Sequence, residues 1–191
     1  MATGELPVAE FGSSADFEHW LAAQHDAAAG VWIRIAKKDT GIASVDYSQA
    51  LDVALCYGWI DGQKRGGDTH WLQRFTPRGP SSKWSQVNRD RVENLITEGR
   101  MRPSGQAEID RAKADGRWAA AYAGQKSATV PEDLQQALDA DPRAREFFAT
   151  LDGRNRFAVL YRVGDAKKPE TRAARIRKYV AMLHDNQKIH P

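Results

Sequence analysis

The sequence is poor in residues that build cross-linked or metal-held folds. It has one cysteine, Cys56, among 191 residues, which excludes an internal disulfide and a zinc site made of several cysteines. None of the five histidines forms an i, i+4 pair or an HExxH pattern. Because Cys56 lies between apolar neighbours, we interpret it as a structural residue rather than a nucleophile. We expect no metal and no cofactor.

Long apolar runs and the common catalytic loops are also missing. No stretch reaches the roughly 18 apolar residues of a membrane-spanning helix. The N-terminal segment MATGELPVAEFGSS lacks the basic start and apolar run of a secretory signal, so we expect a cytoplasmic protein without a membrane span. The patterns GxxxxGK[ST], GxGxxG and GxSxG do not occur, which argues against phosphate-loop, dinucleotide-binding and serine-hydrolase chemistry.

The remaining composition is that of a globular protein with unevenly placed charge. Hydrophobic residues make up 41% and charged residues 28% of the chain, and the net charge is +3. Residues 1–61 contain three Lys/Arg and nine Asp/Glu, whereas residues 62–102 contain nine and four. This asymmetry indicates either a basic face for an anionic partner or two segments that neutralise each other in the fold.

Hydrophobic periodicity predicts an α+β fold: a small N-terminal, mostly antiparallel sheet of about three strands covered by helices, followed by a helical C-terminal half. Strands are predicted at 31–38, 58–65 and 69–77, and the last two form a hairpin. Strict alternation places Trp59, Asp61 and Gln63 on one face. A helix is predicted from about Ser82.

The same patterns divide the chain into three regions. We predict a flexible lead, an α+β core that holds the candidate pocket, and a helical C-terminal region that packs on the core or extends from it. The predicted regions are residues 1–12, 13–122 and 123–191.

The stretch QRFTPRGPSSKWS, residues 73–85, carries the strongest candidate for a site. An arginine fork, serine hydroxyls and the free N–H groups of a helix N-terminus all favour an anion. Indole rings could wall a flat ligand, and Asp61 could orient an arginine or act as a base. The predicted ligand-binding residues are Trp59, Asp61, Arg74, Arg78, Ser81, Ser82, Trp84 and Asn88.

The same residues permit other interpretations. The loop could be a capped, salt-bridged corner between sheet and helices. It could serve an enzyme in which Asp61 is the base and Arg74 or Arg78 stabilises negative charge. The basic segments could bind nucleic acid, with an affinity that falls steeply with salt. A protein–protein adaptor is the fourth alternative. The leading hypothesis is a small anionic ligand.

Several segments resemble a known family. The combination of CYGWIDGQ with FTPRGPSSKWSQVN and KPETRAARIRK is similar to the YdeI/OmpD-associated proteins, also labelled bacteriocin-protection proteins. The similarity extends from about Phe11 to Leu183. It implies a role in tolerance to antimicrobial peptides or envelope stress, and it brings no reaction, cofactor or catalytic residue with it.

Overall fold

The protein is described by a computed structural model that covers residues 5–191. It divides into two compact units, one that ends at Ala121 and one that spans Tyr122–Pro191. The first unit is α+β and the second is entirely helical, so the predicted fold class is confirmed. The first four residues of the predicted flexible lead lie outside the described part of the chain.

The first unit contains a four-stranded sheet and four helices. Its strands are β1 (Val8–Ala9), β2 (Val31–Ala36), β3 (Trp59–Arg65) and β4 (His70–Pro77). Its helices are α1 (Ser14–Gln24), α2 (Tyr47–Cys56), α3 (Gln86–Thr97) and α4 (Pro103–Ala114).

The strands follow the order β1-β2-β4-β3, in which only β1 and β2 are parallel. The periodicity of β2, β3 and β4 predicted these three strands. The extra strand, β1, has two residues, too few to produce a hydrophobic period. It is attached to β2 by the backbone N–H of Trp32, which donates to the Pro7 carbonyl over 2.8 Å.

Helix α2 organises the core of the first unit. It contacts α1, α3, α4 and β3, and six of its ten residues are buried. A capping box between Asp46 and Gln49 starts it. Gly58, with φ 76°, follows its C-terminus and turns the chain into β3, because glycine accepts the left-handed conformation without a steric penalty.

The second unit is a small helical bundle. Its helices are α5 (Glu132–Asp139), α6 (Pro142–Thr150), α7 (Gly153–Gly164) and α8 (Pro169–His184). Helix α8 contacts the other three. The core between them is apolar and includes Leu134, Leu138, Phe148, Val159 and Leu183.

A β-bulge interrupts the pairing of β3 with β4, so the strict alternation predicted for β3 is wrong. Asp61 lies opposite Phe75, but the next registered pair is Lys64 with Gln73. Phe75 and Gln73 are two residues apart and share a face of β4. Lys64 therefore joins Asp61 on that face, where the predicted alternation had placed Gln63.

The bulge is held by the side chain of Gln73. This residue is 3% exposed, and its Nε2 donates to the Gly62 carbonyl over 3.0 Å and to the Gln63 carbonyl over 3.3 Å. The inserted residue of a bulge leaves ladder groups unpaired, and here a buried amide supplies the missing donors.

We expect Gln73→Leu to lower the free energy of unfolding by about 2 kcal/mol, since an apolar side chain leaves two bulge carbonyls without this donor. Urea unfolding followed by tryptophan fluorescence measures the change. All six tryptophans lie in the first unit, so the signal reports that unit. Gln63→Leu, at an exposed position, is the matched control. Equal stability of the two variants would contradict this role for Gln73.

Candidate functional site

The predicted loop forms a buried stack of an arginine on a tryptophan. Arg78 is 4% exposed and Trp84 is 2% exposed, and the guanidinium carbon of Arg78 lies 3.6 Å from the centroid of the Trp84 ring. The Arg78 Nη1 donates to the Lys83 carbonyl over 3.3 Å and lies 3.5 Å from the Ser82 hydroxyl. The guanidinium thus binds its own loop.

Two further arginines, from outside the loop, donate hydrogen bonds to its backbone carbonyls. Arg117 Nη1 donates to the Ser82 carbonyl over 2.8 Å, and Arg111 Nη2 donates to the Arg78 carbonyl over 3.4 Å. The Trp84 ring meets the edge of Trp118 at a centroid distance of 4.9 Å. These contacts agree with the alternative of a structural corner, because each donor is directed at backbone of the first unit.

The helix after this loop begins later than predicted. Helix α3 begins at Gln86, and Ser85 is its N-cap. The predicted start near Ser82 is therefore wrong: Ser82 lies in the loop, and Ser81 is exposed. The backbone N–H of Asn88 donates to the Ser85 hydroxyl over 3.1 Å, so the cap uses one of the N–H groups expected for an anion.

The other predicted site residues belong to the sheet. Trp59 is 1% exposed, and its Nε1 donates to the His25 carbonyl over 3.2 Å. Its ring meets Trp20 edge to face, which makes it a core residue. Arg74 lies against Gly62, where a Cβ would come within 3.0 Å of its Nε. The ligand-binding role of the eight residues stays a prediction.

A cleft of about 380 Å³ opens beside the bulge, between the end of β2, the β3–β4 hairpin and the start of α2. We call it the lysine cleft. It combines ammonium groups, an indole ring, a phenol ring and two adjacent glycines. Its lining residues are Ile35, Ala36, Lys37, Lys38, Asp46, Tyr47, Lys64, Gly66, Gly67 and Trp71.

The bulge places Lys64 over the floor of the lysine cleft. The Lys64 Nζ lies 3.9 Å from the centroid of the Trp71 ring, within the range of a cation–π interaction. Trp71 also meets the Tyr47 ring at a centroid distance of 5.9 Å and a tilt of 47°. The floor is therefore formed by two aromatic rings with an ammonium group above one of them.

Asp61 acts on this cleft through Tyr47. The Tyr47 hydroxyl donates to Asp61 Oδ2 over 2.8 Å, and Tyr47 lines the cleft. The carboxylate therefore orients the phenol ring of Tyr47, which forms part of the floor of the cleft. The predicted use of Asp61 as a base beside Arg78 stays a prediction.

Sequence reasoning did not single out Lys64, Trp71 or the pair Lys37–Lys38, which line the cleft. For Lys64 the reason is that the alternation of β3 was interpreted without the bulge, which placed Lys64 on the wrong face. The signal that could have revealed it is Gly62 within β3, since an isolated glycine in a strand often marks a bulge.

Cys56, the single cysteine, is a buried free thiol. Burial raises the pKa of the Cys56 thiol to about 11, so the thiol stays protonated at neutral pH, in keeping with a structural cysteine. Among residues 5–191, no group of three or more His, Cys, Asp or Glu side chains is placed to hold a metal ion. Within the same range, no helix is both long and apolar enough to cross a membrane.

Comparison with protein families assigns the two units separately. Residues 9–108 match the model described as Domain of unknown function (DUF8412), which is more than half of the chain. The chain belongs to this family. Residues 127–186 match the model described as Bacteriocin-protection, YdeI or OmpD-Associated.

The expected resemblance to YdeI/OmpD-associated proteins is thus confirmed for residues 127–186, which lie in the second unit. It is not confirmed over the predicted extent from about Phe11, because residues 9–108 match a different model. The lysine cleft lies in the part that matches the domain of unknown function. No curated protein and no solved structure matches the chain.

Replacing Arg78 with lysine should lower the free energy of unfolding by about 2 kcal/mol, because lysine keeps the charge but loses the flat stack on Trp84 and the fork. Tryptophan fluorescence during urea unfolding measures it. The matched control is Arg34→Lys, at an arginine with an exposed ion pair to Glu10, where we expect a change within about 0.5 kcal/mol. An Arg78→Lys protein as stable as the control would refute the structural corner.

Proposed function

We propose that the protein binds a small anionic ligand in the lysine cleft. The observation that carries this proposal is the charge of the lining: Lys37, Lys38 and Lys64 face one carboxylate, Asp46, a balance of three positive charges against one negative charge. That carboxylate accepts the Gln49 backbone N–H over 2.9 Å and so is occupied as a helix cap. The lining thus favours an anion.

The shape of the lysine cleft supports a small ligand. Its volume of about 380 Å³ is at the lower end of the range for ligand pockets, about 300–1,000 Å³. All three lysines are exposed, so their attraction for an anion is screened by water and salt and is modest alone. Apolar contact with Trp71 and Tyr47 supplies the remaining affinity. The partial positive charge at the start of α2 acts in the same direction.

Isothermal titration with inorganic phosphate, malate, ribose 5-phosphate and benzoate tests the proposal. We expect at least one anion to bind, and Lys64→Met to weaken it about tenfold by removing one charged contact while keeping the length of the side chain. The affinity should fall as salt is raised.

Lys126→Met serves as the matched control, since Lys126 is an exposed lysine outside the lining of the cleft. If Lys126→Met weakened binding as much as Lys64→Met, or if none of the four anions bound, the proposed site would be wrong. An oligonucleotide titration in parallel tests the nucleic-acid alternative by its steeper salt dependence.

The match of residues 127–186 to a bacteriocin-protection model supports tolerance to antimicrobial peptides as the setting in which the protein acts. We expect that expression of the full chain in a bacteriocin-sensitive bacterium raises the inhibitory concentration of the bacteriocin severalfold over the empty vector. The Lys64→Met chain, expressed to the same level, shows whether the lysine cleft takes part. An inhibitory concentration equal to that of the empty vector would contradict the proposed setting.

A further inference from the structure

The aromatic floor of the lysine cleft restricts the shape of a bound ligand, whereas the charge of the lining restricts only the sign of its charge. In the structure, the ammonium group of Lys64 covers one face of the Trp71 indole at 3.9 Å. Lys64 and Trp71 both line the cleft, so a ligand in the cleft meets this ammonium–indole pair. An indole face turned into a cleft is a surface on which a flat ring can stack.

We infer that the ligand is a planar aromatic anion of one or two rings, and that its ring stacks on Trp71. This inference rests on the proposed anion binding in the lysine cleft. A ring that lies on Trp71 must take the place of the Lys64 ammonium group. The flexible four-carbon stem of lysine allows this movement, and the released ammonium group can then pair with the anionic substituent of the ligand.

The second aromatic residue of the cleft supports a flat ligand over a bulky one. The Tyr47 ring is tilted by 47° to the Trp71 ring, with its centroid 5.9 Å away, so the two rings form a wedge. The hydrogen bond from its hydroxyl to Asp61 Oδ2, 2.8 Å long, fixes the phenol in this position. The wedge accepts the edge of a planar ring against Tyr47 while its face lies on Trp71.

The hairpin end leaves room for the anionic substituent. Gly66 and Gly67 line the cleft beside Lys64, and neither brings a side chain into it. A Cβ at Gly67 would come within 2.6 Å of the His70 carbonyl oxygen, so the turn requires glycine there. The glycine backbone keeps this end of the cleft open next to the ammonium group.

Benzoate and cyclohexanecarboxylate form a matched pair of probes, because they share a carboxylate and ring size and differ in whether the ring is flat and aromatic. Isothermal titration should show benzoate binding roughly three- to tenfold more tightly to the native protein, the ratio that corresponds to one aromatic stack. Adenosine monophosphate and ribose 5-phosphate form a second matched pair, because they share a ribose phosphate and differ in the flat base. Comparison of the tighter member of each pair shows whether the site prefers an aromatic phosphate or an aromatic carboxylate.

Two variants at position 71 separate stacking from folding. Trp71→Leu should remove the preference for benzoate, and Trp71→Phe, which keeps a flat face, should retain part of it. Circular dichroism and the thermal midpoint establish that each variant is folded. If Trp71→Leu did not fold, loss of part of the preference in Trp71→Phe would still support the stack.

The titrations distinguish failure of the aromatic stack on Trp71 from failure of anion binding in the lysine cleft. Equal affinity for benzoate and cyclohexanecarboxylate, with both weakened by Lys64→Met, would overturn the aromatic ligand and leave anion binding in place. A preference for benzoate that survived in Trp71→Leu would also overturn the stack on Trp71. No binding of any probe anion would overturn the proposed function and this inference together.

Discussion

The arrangement of the first unit around its candidate site depends on one extra residue in a strand. The bulge between Asp61 and Lys64 shifts the register of β3, and the amide of Gln73 satisfies the carbonyls that the shift exposes. A register slip of one residue moves every later side chain of a strand to the opposite face. Lys64 reaches Trp71 for this reason, and Arg65 reaches Trp32 on the other side, at 4.2 Å from the ring.

Cation–π contacts with indole rings recur in the first unit in two settings, one buried in a loop and one lining a cleft. Arg78 on Trp84 is buried, and its Nη1 donates to the backbone of its own loop, so almost none of its surface is open to solvent. Lys64 on Trp71 belongs to a cleft and keeps an exposed, flexible stem. The interaction is alike in kind, but only the second can be exchanged for a ligand without leaving a buried charge uncompensated.

Sequence patterns predicted the fold well wherever an element was long enough to show a period. Strands β2 to β4 and the helical C-terminal half were predicted because their apolar residues recur at strand or helix spacing. The two-residue β1 carried no such signal, and the start of α3 was misplaced because Ser81, Ser82 and Ser85 are all acceptable caps. Only packing decides among them, and it selects Ser85, next to the buried Trp84.

The candidate site was harder to predict, since cationic and aromatic residues that bind a ligand look the same in sequence as those that hold a corner. Arg78, with its prolines and serines, is the more conspicuous of the two, yet the hydrogen bonds of its Nη1 end within the loop. Lys64 lies in an inconspicuous strand and faces a cleft only because of the bulge.

Arg78 and Lys64 differ in their exposure to water. A guanidinium that is 4% exposed and stacked on an indole within its own loop offers almost no surface to an anion from solvent. An ammonium group that faces water above an aromatic ring is only weakly engaged there, at about 0.5–1 kcal/mol for an exposed cation–π contact. It therefore loses little when it turns to an anion that takes its place on the ring. This difference favours the lysine cleft over the arginine loop as the place for the proposed anionic ligand.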